Sequence, residues 1–205
     1  MSDNLIFTIG HSNHPTERFV ELLRTHGVTA VADVRSAPYS RHQPQFNKDA
    51  LQRSLKDAGI AYTFLGKELG ARSEDRSCYE DGRVQYWRLA RTELFRRGIE
   101  RVRKGAAEYR VAVMCAEKEP LDCHRTLLVG RALEREGVSV AHILADGRLE
   151  TNHDAMVRLL AVVGLHAKDI LQSEQELIEE ACKKQEERVA YVDEQLAAEA
   201  SEVKQ

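Results

Sequence analysis

The sequence predicts an α/β fold: a mostly parallel sheet of about five strands with helices on both faces, plus a C-terminal helical extension. Three observations carry this. Short apolar runs alternate with longer stretches of helical period. The helical stretches begin at capping residues and stop at glycines. The charge balance changes at the last 35 residues, where ten acidic and four basic side chains give −6 against a total of −3, which leaves the body at +3. At 205 residues, with 42% hydrophobic and 31% charged side chains, the chain suits one soluble domain of ordinary size with an appendage. We divide it at residues 1–165, the α/β domain, and 166–205, a charged amphipathic helical tail.

Taken in order, "LIFTIG" (Leu5 to Gly10), "AVADV" (Ala30 to Val34), "IAYTFL" (Ile60 to Leu65), "RVAVMCA" (Arg110 to Ala116) and "VAHILA" (Val140 to Ala145) read as buried strands. "TERFVELLRTHG" opens at Pro15 or Thr16, gathers Phe19, Leu22 and Leu23 on one face and stops at Gly27. "NKDALQRSLKDAG" repeats the scheme, with Asn47 as cap and Gly59 as stop. "QYWRLARTELFRRGIERVRKG" reads as a longer helical region with Trp87, Leu94, Ile99 and Val102 among its apolar positions, and "LDCHRTLLVGRALEREG" as another, ending at Gly137. Strands that alternate with helices imply βαβ units with right-handed crossovers. In such sheets ligands bind outside the carboxyl ends of the strands. That edge should collect Gly10, His11 and Ser12 from the first strand, Asp33 and Arg35 from the second, Cys115 and Glu117 from the fourth, and Asp146 and Gly147 from the fifth.

In this order "TIGHSNHP", "VADVRSAPYSRHQPQFN", "LGKELGAR" and "VMCAEKEPLDCHR" resemble the family called domain of unknown function 488. The resemblance spans roughly Leu5 to Leu160. It implies a compact α/β domain with the motif residues as its site, and it brings no assigned reaction. Where the family usually carries a glycine pair before the arginine of the third motif, this chain has Gly70 and Ala71.

The last motif reads physically as a strand delivering Cys115, a turn, Pro120 in a first helical turn, and Cys123, His124 and Arg125 near a helix amino end. Free N–H groups and the positive dipole end there favour an anion or a cysteine thiolate, and Arg125 adds a planar fork for a bound oxyanion. Cys115 is equally at home as a small core hydrophobe; Cys78, in a polar loop, and Cys182, in the tail, read as incidental. The spacing from Cys115 to Cys123 is not that of a structural zinc site, and neither the deaminase P-C-x-x-C step nor a one-turn cysteine–arginine phosphate loop is present. A site drawn from Cys115, Cys123 and His11 is possible in space, but the spacing supports no metal and no cofactor.

Asp33 and Arg35, two apart at a strand end, share one side; they form either a self-satisfying ion pair or an acid–base group beside an anion-binding arginine. Ser36, Ser40, Arg41 and His42 decorate the following loop between Pro38 and Pro44. His11 reads as a base, a donor to substrate, or a satisfied cap, and Glu117 as a pocket carboxylate or an ion-pair partner. The candidate catalytic residues are therefore Cys123, Cys115, Asp33, His11 and Glu117. The candidate substrate-binding residues are Arg35, Arg41, Ser12, His124 and Arg125.

In the tail, Leu171, Ile178, Ala181, Val189, Val192 and Leu196 form a narrow apolar stripe that docks on the body or pairs with a second copy; Gln185 and Arg188 interrupt a strict heptad. The body is too weakly basic for a general nucleic-acid binder, and no apolar run reaches the roughly 20 residues of a membrane span. "MSDNLIFTIG" shows neither a basic leader nor a cleavage site, so a cytoplasmic protein with reduced thiols is expected. The sequence points to a cysteine- or acid/base-assisted hydrolase or transferase acting on an anionic, phosphate-bearing compound, a nucleotide or nucleic-acid end being the class expected. The other reading is a module that binds an anion, or senses redox state or metal, without turnover. A low-pKa, fast-reacting Cys123 would separate the two.

Overall fold

The computed structural model describes residues 5–165 and 173–203. The order is β1 (Leu5–Gly10), α1 (Thr16–Thr25), β2 (Ala30–Asp33), α2 (Lys48–Asp57), β3 (Ala61–Phe64), α3 (Gly66–Leu69), the hairpin β4 (Tyr79–Glu80) and β5 (Arg83–Val84), α4 (Tyr86–Leu89) and α5 (Glu93–Ala106). Then follow β6 (Val111–Cys115), a 3₁₀ turn (Pro120–Asp122), a π-helical turn (Arg125–Gly130) continuing as α6 (Arg131–Arg135), β7 (Ser139–Ile143), β8 (Leu149–Thr151), α7 (Asn152–Val162), α8 (Glu174–Val189) and α9 (Glu194–Val203). The main sheet runs β3-β2-β6-β1-β7-β8, with β8 alone antiparallel to its neighbour.

Alternation sorts the strand side chains onto two cores. Phe7, Ile9, Val31, Ala112 and Met114 pack with Phe19, Leu22, Leu23, Leu51 and Leu55 of α1 and α2. Ile6, Ala32, Val111, Val113 and Cys115 pack with Phe95, Ile99 and Val102 of α5, Leu127 and Leu128 of the π turn, Leu133 of α6 and Leu159 of α7. The moves from β1 to β2 to β3 all go one way along the sheet and carry α1 and α2 on one face. The moves from β3 to β6 and from β6 to β7 go back and carry α5 and α6 on the other, as a uniform crossover hand requires. β6 thus lies between two strands whose exits leave by the opposite face. This is the topological crevice where α/β sheets bind ligands.

The α/β class, the mostly parallel sheet and the C-terminal helices are as expected, and several details differ. The sheet has six strands, because "LET" after the Gly147 turn pairs with β7 as a short edge strand too brief to show a period. β3 is an edge strand whose side chains are half-buried or exposed rather than buried. The long region from Gln85 breaks at Thr92, whose hydroxyl caps Phe95 N at 3.2 Å; of the two helices that result, α4 buries Tyr86 and Leu89 and exposes Trp87, and α5 buries Phe95 and exposes Leu94. Asn47 leaves α2 uncapped and spends its side-chain oxygen on Ser40 N, 2.7 Å away. Cys78 is buried in the second core rather than lying in an open loop.

The tail stripe is spent in part on the body: Ile178, Ala181 and Cys182 are buried against it, with Cys182 Sγ 3.6 Å from Met156 Sδ. Val192 remains exposed, and Leu171 lies outside the described residues. Gln185, which breaks the heptad, is buried because its Nε2 donates to Leu121 O at 3.1 Å and Asp122 Oδ1 at 2.9 Å. Among the described residues no helix is long and apolar enough to cross a membrane.

Within β7, His142 is buried between Thr8 Oγ1 at 2.7 Å and Asn152 Oδ1 at 3.1 Å. Burial, with Arg125 nearby, lowers its pKa to about 4. The unfolded chain therefore binds a proton that the fold refuses between pH 6.5 and about 4, so stability should fall as pH drops through that window. In urea midpoints measured from pH 7 to pH 4.5, His142→Gln should lose less stability than the wild type, by roughly 1–3 kcal/mol. Parallel pH profiles for the two proteins would contradict this.

Candidate functional site

The carboxyl ends of β2 and β6, with the segments that follow them, line a cavity of about 280 Å³. Its wall includes Arg35, Ser36, Arg72, Tyr86, Cys115, Glu117, Asp122 and His124, and the tail closes it with Val189 and Tyr191. Tyr191 is held by its carbonyl, which accepts Val84 N at 3.0 Å, and by its ring, which lies 4.5 Å beneath the Arg72 guanidinium.

Cys115 lines the cavity, and Cys123 lies behind it. β6 delivers Cys115, and the 3₁₀ turn, with Pro120 at its start and Glu119 capping Leu121 N at 3.1 Å, swings the chain back. Cys123 is the extended residue between that turn and the π turn, and its carbonyl accepts Thr126 N at 3.0 Å and Leu127 N at 3.1 Å. Rather than one smooth helix from Leu121 onward, the break places the sulfur at a helix amino end, where Arg125 N donates to Sγ at 3.4 Å.

Cys123 Sγ and Glu117 Oε2 lie 2.8 Å apart. His124 Nε2 donates to Val34 O at 3.0 Å, which leaves Nδ1 facing the sulfurs, 3.6 Å from Cys115 and 3.9 Å from Cys123. Burial raises a thiol pKa, yet Cys123 is held well below the ordinary value by a hydrogen bond from Cys115, the Arg125 charge and His124. Burial and the neighbouring Cys123 and Glu117 push Cys115 well above it. Burial and Cys123 also raise Glu117. For His124 burial acts downward, but Cys123 and Glu117 hold it above the usual histidine value. The result is an asymmetric dithiol: one sulfur is poised as thiolate, the other as thiol, with a protonatable carboxylate in contact.

A second network stands beside it. Arg35 donates to Asp33 through Nε to Oδ1 at 2.9 Å and Nη2 to Oδ2 at 2.7 Å, and Tyr62 OH donates to Asp33 Oδ2 at 2.9 Å. Arg35 Nη1 donates to His11 Nε2 at 3.1 Å while His11 Nδ1 donates to Ser12 O at 2.8 Å, which fixes a neutral tautomer. Burial, opposed by the Ser12 carbonyl and reinforced by Arg35, lowers the His11 pKa to about 4. Asp33 is therefore fully committed to the pair, and only part of the Arg35 fork remains for a ligand.

The structure thus brings Cys115, Glu117, His124 and Arg35 to the cavity wall, with Cys123 directly behind. Arg125 is fully buried and anchors the turn through Glu117 O at 2.6 Å and Lys118 O at 3.2 Å; among the described residues its Nε finds no hydrogen-bond partner. Arg41 is exposed in the β2–α2 loop and does not line the cavity, and the Ser12 hydroxyl turns to Asn13. Sequence reasoning missed Arg72, Tyr86, Tyr62 and Tyr191. Arg72 stands within the quoted "LGKELGAR" motif and could have been proposed from it; Tyr191 comes from the tail by a long-range contact with no local signal.

The crevice where the strand order reverses, lined by thiol, imidazole, carboxylate and guanidinium, defines an α/β domain with a candidate site at its carboxyl edge. The chain belongs to the family described as Domain of unknown function DUF488, whose model matches residues 15–132, more than half of the 205 residues. The match takes in the Asp33–Arg35 and Cys115-to-Arg125 motifs but neither His11 nor the tail. No curated protein and no solved structure matches the chain.

Proposed function

We propose that this protein is an enzyme acting on a small anionic, phosphate-bearing compound, a nucleotide being one such, in the cavity at the carboxyl edge. The observation that supports it is the meeting on one cavity wall of Cys115, Glu117 and His124, groups that move protons or bond electrophiles, with the cationic Arg35 and Arg72. Arg72 and the uncommitted part of Arg35 hold the anion. The Cys115–Glu117–Cys123–His124 cluster supplies the chemistry, as a hydrolase or transferase centre. Such thiols must stay reduced, so we place the protein in the cytoplasm. The near-complete burial of both sulfurs favours a second reading, in which the pocket binds an anion and the thiols sense redox state or metal without turnover.

The test is turnover of inorganic pyrophosphate, nucleoside mono-, di- and triphosphates and a generic aryl phosphate, followed by phosphorus NMR. Arg72→Ala should weaken the responding substrate about tenfold with little change in kcat, the loss of one charge-assisted contact. Cys123→Ser should abolish turnover and retain binding. Binding without turnover by the wild type selects the second reading; neither binding nor turnover refutes both.

A further inference from the structure

Four donor atoms of Cys115, Glu117, Cys123 and His124 lie within 4.8 Å of one another. Two of them are sulfurs and one an imidazole nitrogen, the donor types that select a thiophilic borderline cation over calcium or magnesium. The imidazole is already set as a ligand. Its Nε2–H is tied to the Val34 carbonyl at 3.0 Å, the outer-shell hydrogen bond that metal-bound histidines typically make, and its Nδ1 faces the two sulfurs. Around tetrahedral zinc, bond lengths of about 2.3 Å to sulfur and about 2.0 Å to nitrogen put nitrogen and sulfur donors about 3.5 Å apart. The 3.6 and 3.9 Å separations match that spacing with shifts of a few tenths of an ångström.

We propose that Cys115 Sγ, Cys123 Sγ and His124 Nδ1 hold one divalent thiophilic cation, zinc before others, in a three-ligand centre whose fourth position opens on the cavity. Glu117 Oε2, 2.8 Å from Cys123 Sγ, is too near that sulfur to share the ion with it at tetrahedral spacing. It serves as the hydrogen-bond partner of whatever occupies the fourth position. Binding displaces the remaining thiol protons and any proton on His124 Nδ1 to solvent, and leaves both sulfurs as thiolates and the imidazole neutral. Sequence spacing gave no sign of this. The eight-residue step from Cys115 to Cys123 is closed in space by the 3₁₀ turn rather than by a short knuckle. Only the direction of the fourth position rests on the proposed enzymatic reading; the donor set stands without it.

The test uses the full chain, reduced and stripped with a chelator, and titrated with cobalt(II) in the absence of any substrate. The expected result is saturation at one equivalent, with a thiolate-to-metal charge-transfer band and the visible bands of four-coordinate cobalt, both displaced by zinc. Cys115→Ser, Cys123→Ser and His124→Ala should each weaken uptake about 100-fold or more, beyond the usual outer-shell effect, and Glu117→Gln should keep one-to-one uptake. Circular dichroism shows which variants fold, and the wild-type spectrum decides where one does not. A folded wild type that takes up no cobalt, or takes it up without the charge-transfer band, overturns the centre. Loss of uptake in folded Glu117→Gln overturns the three-ligand assignment. Turnover is read separately, so a substrate failure leaves the metal result intact.

Discussion

Gly10→Ala is expected to be among the most damaging single-methyl changes this protein can suffer, although it lies in a strand and adds one carbon. A β-carbon there would stand 1.8 Å from the Glu117 carbonyl oxygen and 2.8 Å from its carbon, a backbone atom set that has no rotamer to change. β1 is pinned at this point. Gly10 pairs with Cys115 in the sheet, His11 N donates to Cys115 O at 2.9 Å, and Ser12 N donates to Ala116 O at 2.9 Å. The clash can be relieved only by moving the exit of β6. The same oxygen receives Arg125 Nη1 at 2.6 Å, so the displacement runs into the turn that holds Cys123. Overpacking of this kind costs about 3 kcal/mol or more, a melting-temperature loss of about 6–12 °C for a chain of this size. Gly105→Ala is the control of opposite sign. It lies in α5 with its nearest neighbour 3.8 Å away, and should stabilise by up to about 1 kcal/mol. Equal melting temperatures for Gly10→Ala and wild type would show that the two strand ends are not in contact.

Asp33→Ala should cost about 3–5 kcal/mol, the penalty for stranding a buried charge rather than the net worth of the pair. Asp33 is fully buried, receives both arms of the Arg35 fork and the Tyr62 hydroxyl, and is the only carboxylate hydrogen-bonded to Arg35 among the described residues. Burial works against the Arg35 charge, but Asp33 more than offsets it and raises the Arg35 pKa above its usual value. Removing the carboxylate reverses that balance and also frees the donor that orients His11. The double variant Asp33→Ala with Arg35→Met should recover a large part of the loss, because a buried pair can be replaced by apolar groups at little cost. Tyr62→Phe, which removes one hydrogen bond and leaves the pair intact, should cost about 1 kcal/mol. Chemical denaturation of the wild type, Asp33→Ala, Arg35→Met and the double variant gives the coupling directly; additive losses would mean the pair is not the anchor of the β2 exit.

Much of this arrangement was legible in the sequence, and the reasons differ by element. The five strands named from apolar runs are all present, and period 2 placed Asp33 and Arg35 on one side at a strand end, where the structure forms the ion pair, one of the two alternatives that spacing left open. The break at Thr92 was not legible, because "QYWRLARTELF" keeps an acceptable helical period through it and only the cap decides. β8 was too short to show a pattern, and the cavity wall from Val189 and Tyr191 depends on where the tail docks, which no local propensity encodes. Arg125 was assigned to substrate on chemistry alone. In the structure its guanidinium is the buried brace of the β6 exit, since two carbonyls of the charged turn needed donors. The thiol cluster was half legible: the cysteines and His124 were singled out, but their convergence at Nδ1 depends on the Val34 carbonyl fixing the ring.

The claim at the centre is that one cavity, walled by Arg35, Arg72, Cys115, Glu117 and His124, receives an anionic ligand. Its most direct test is an amide NMR titration of the full chain with inorganic pyrophosphate and with a nucleoside monophosphate. The expected result is saturable shifts confined to residues 35–37, 71–72, 115–117, 122–124 and 189–191, with Arg72→Ala weakening them. Shifts that do not saturate, or that gather on the exposed face around Trp87 and Arg91, would contradict the claim and move the anion site to the surface.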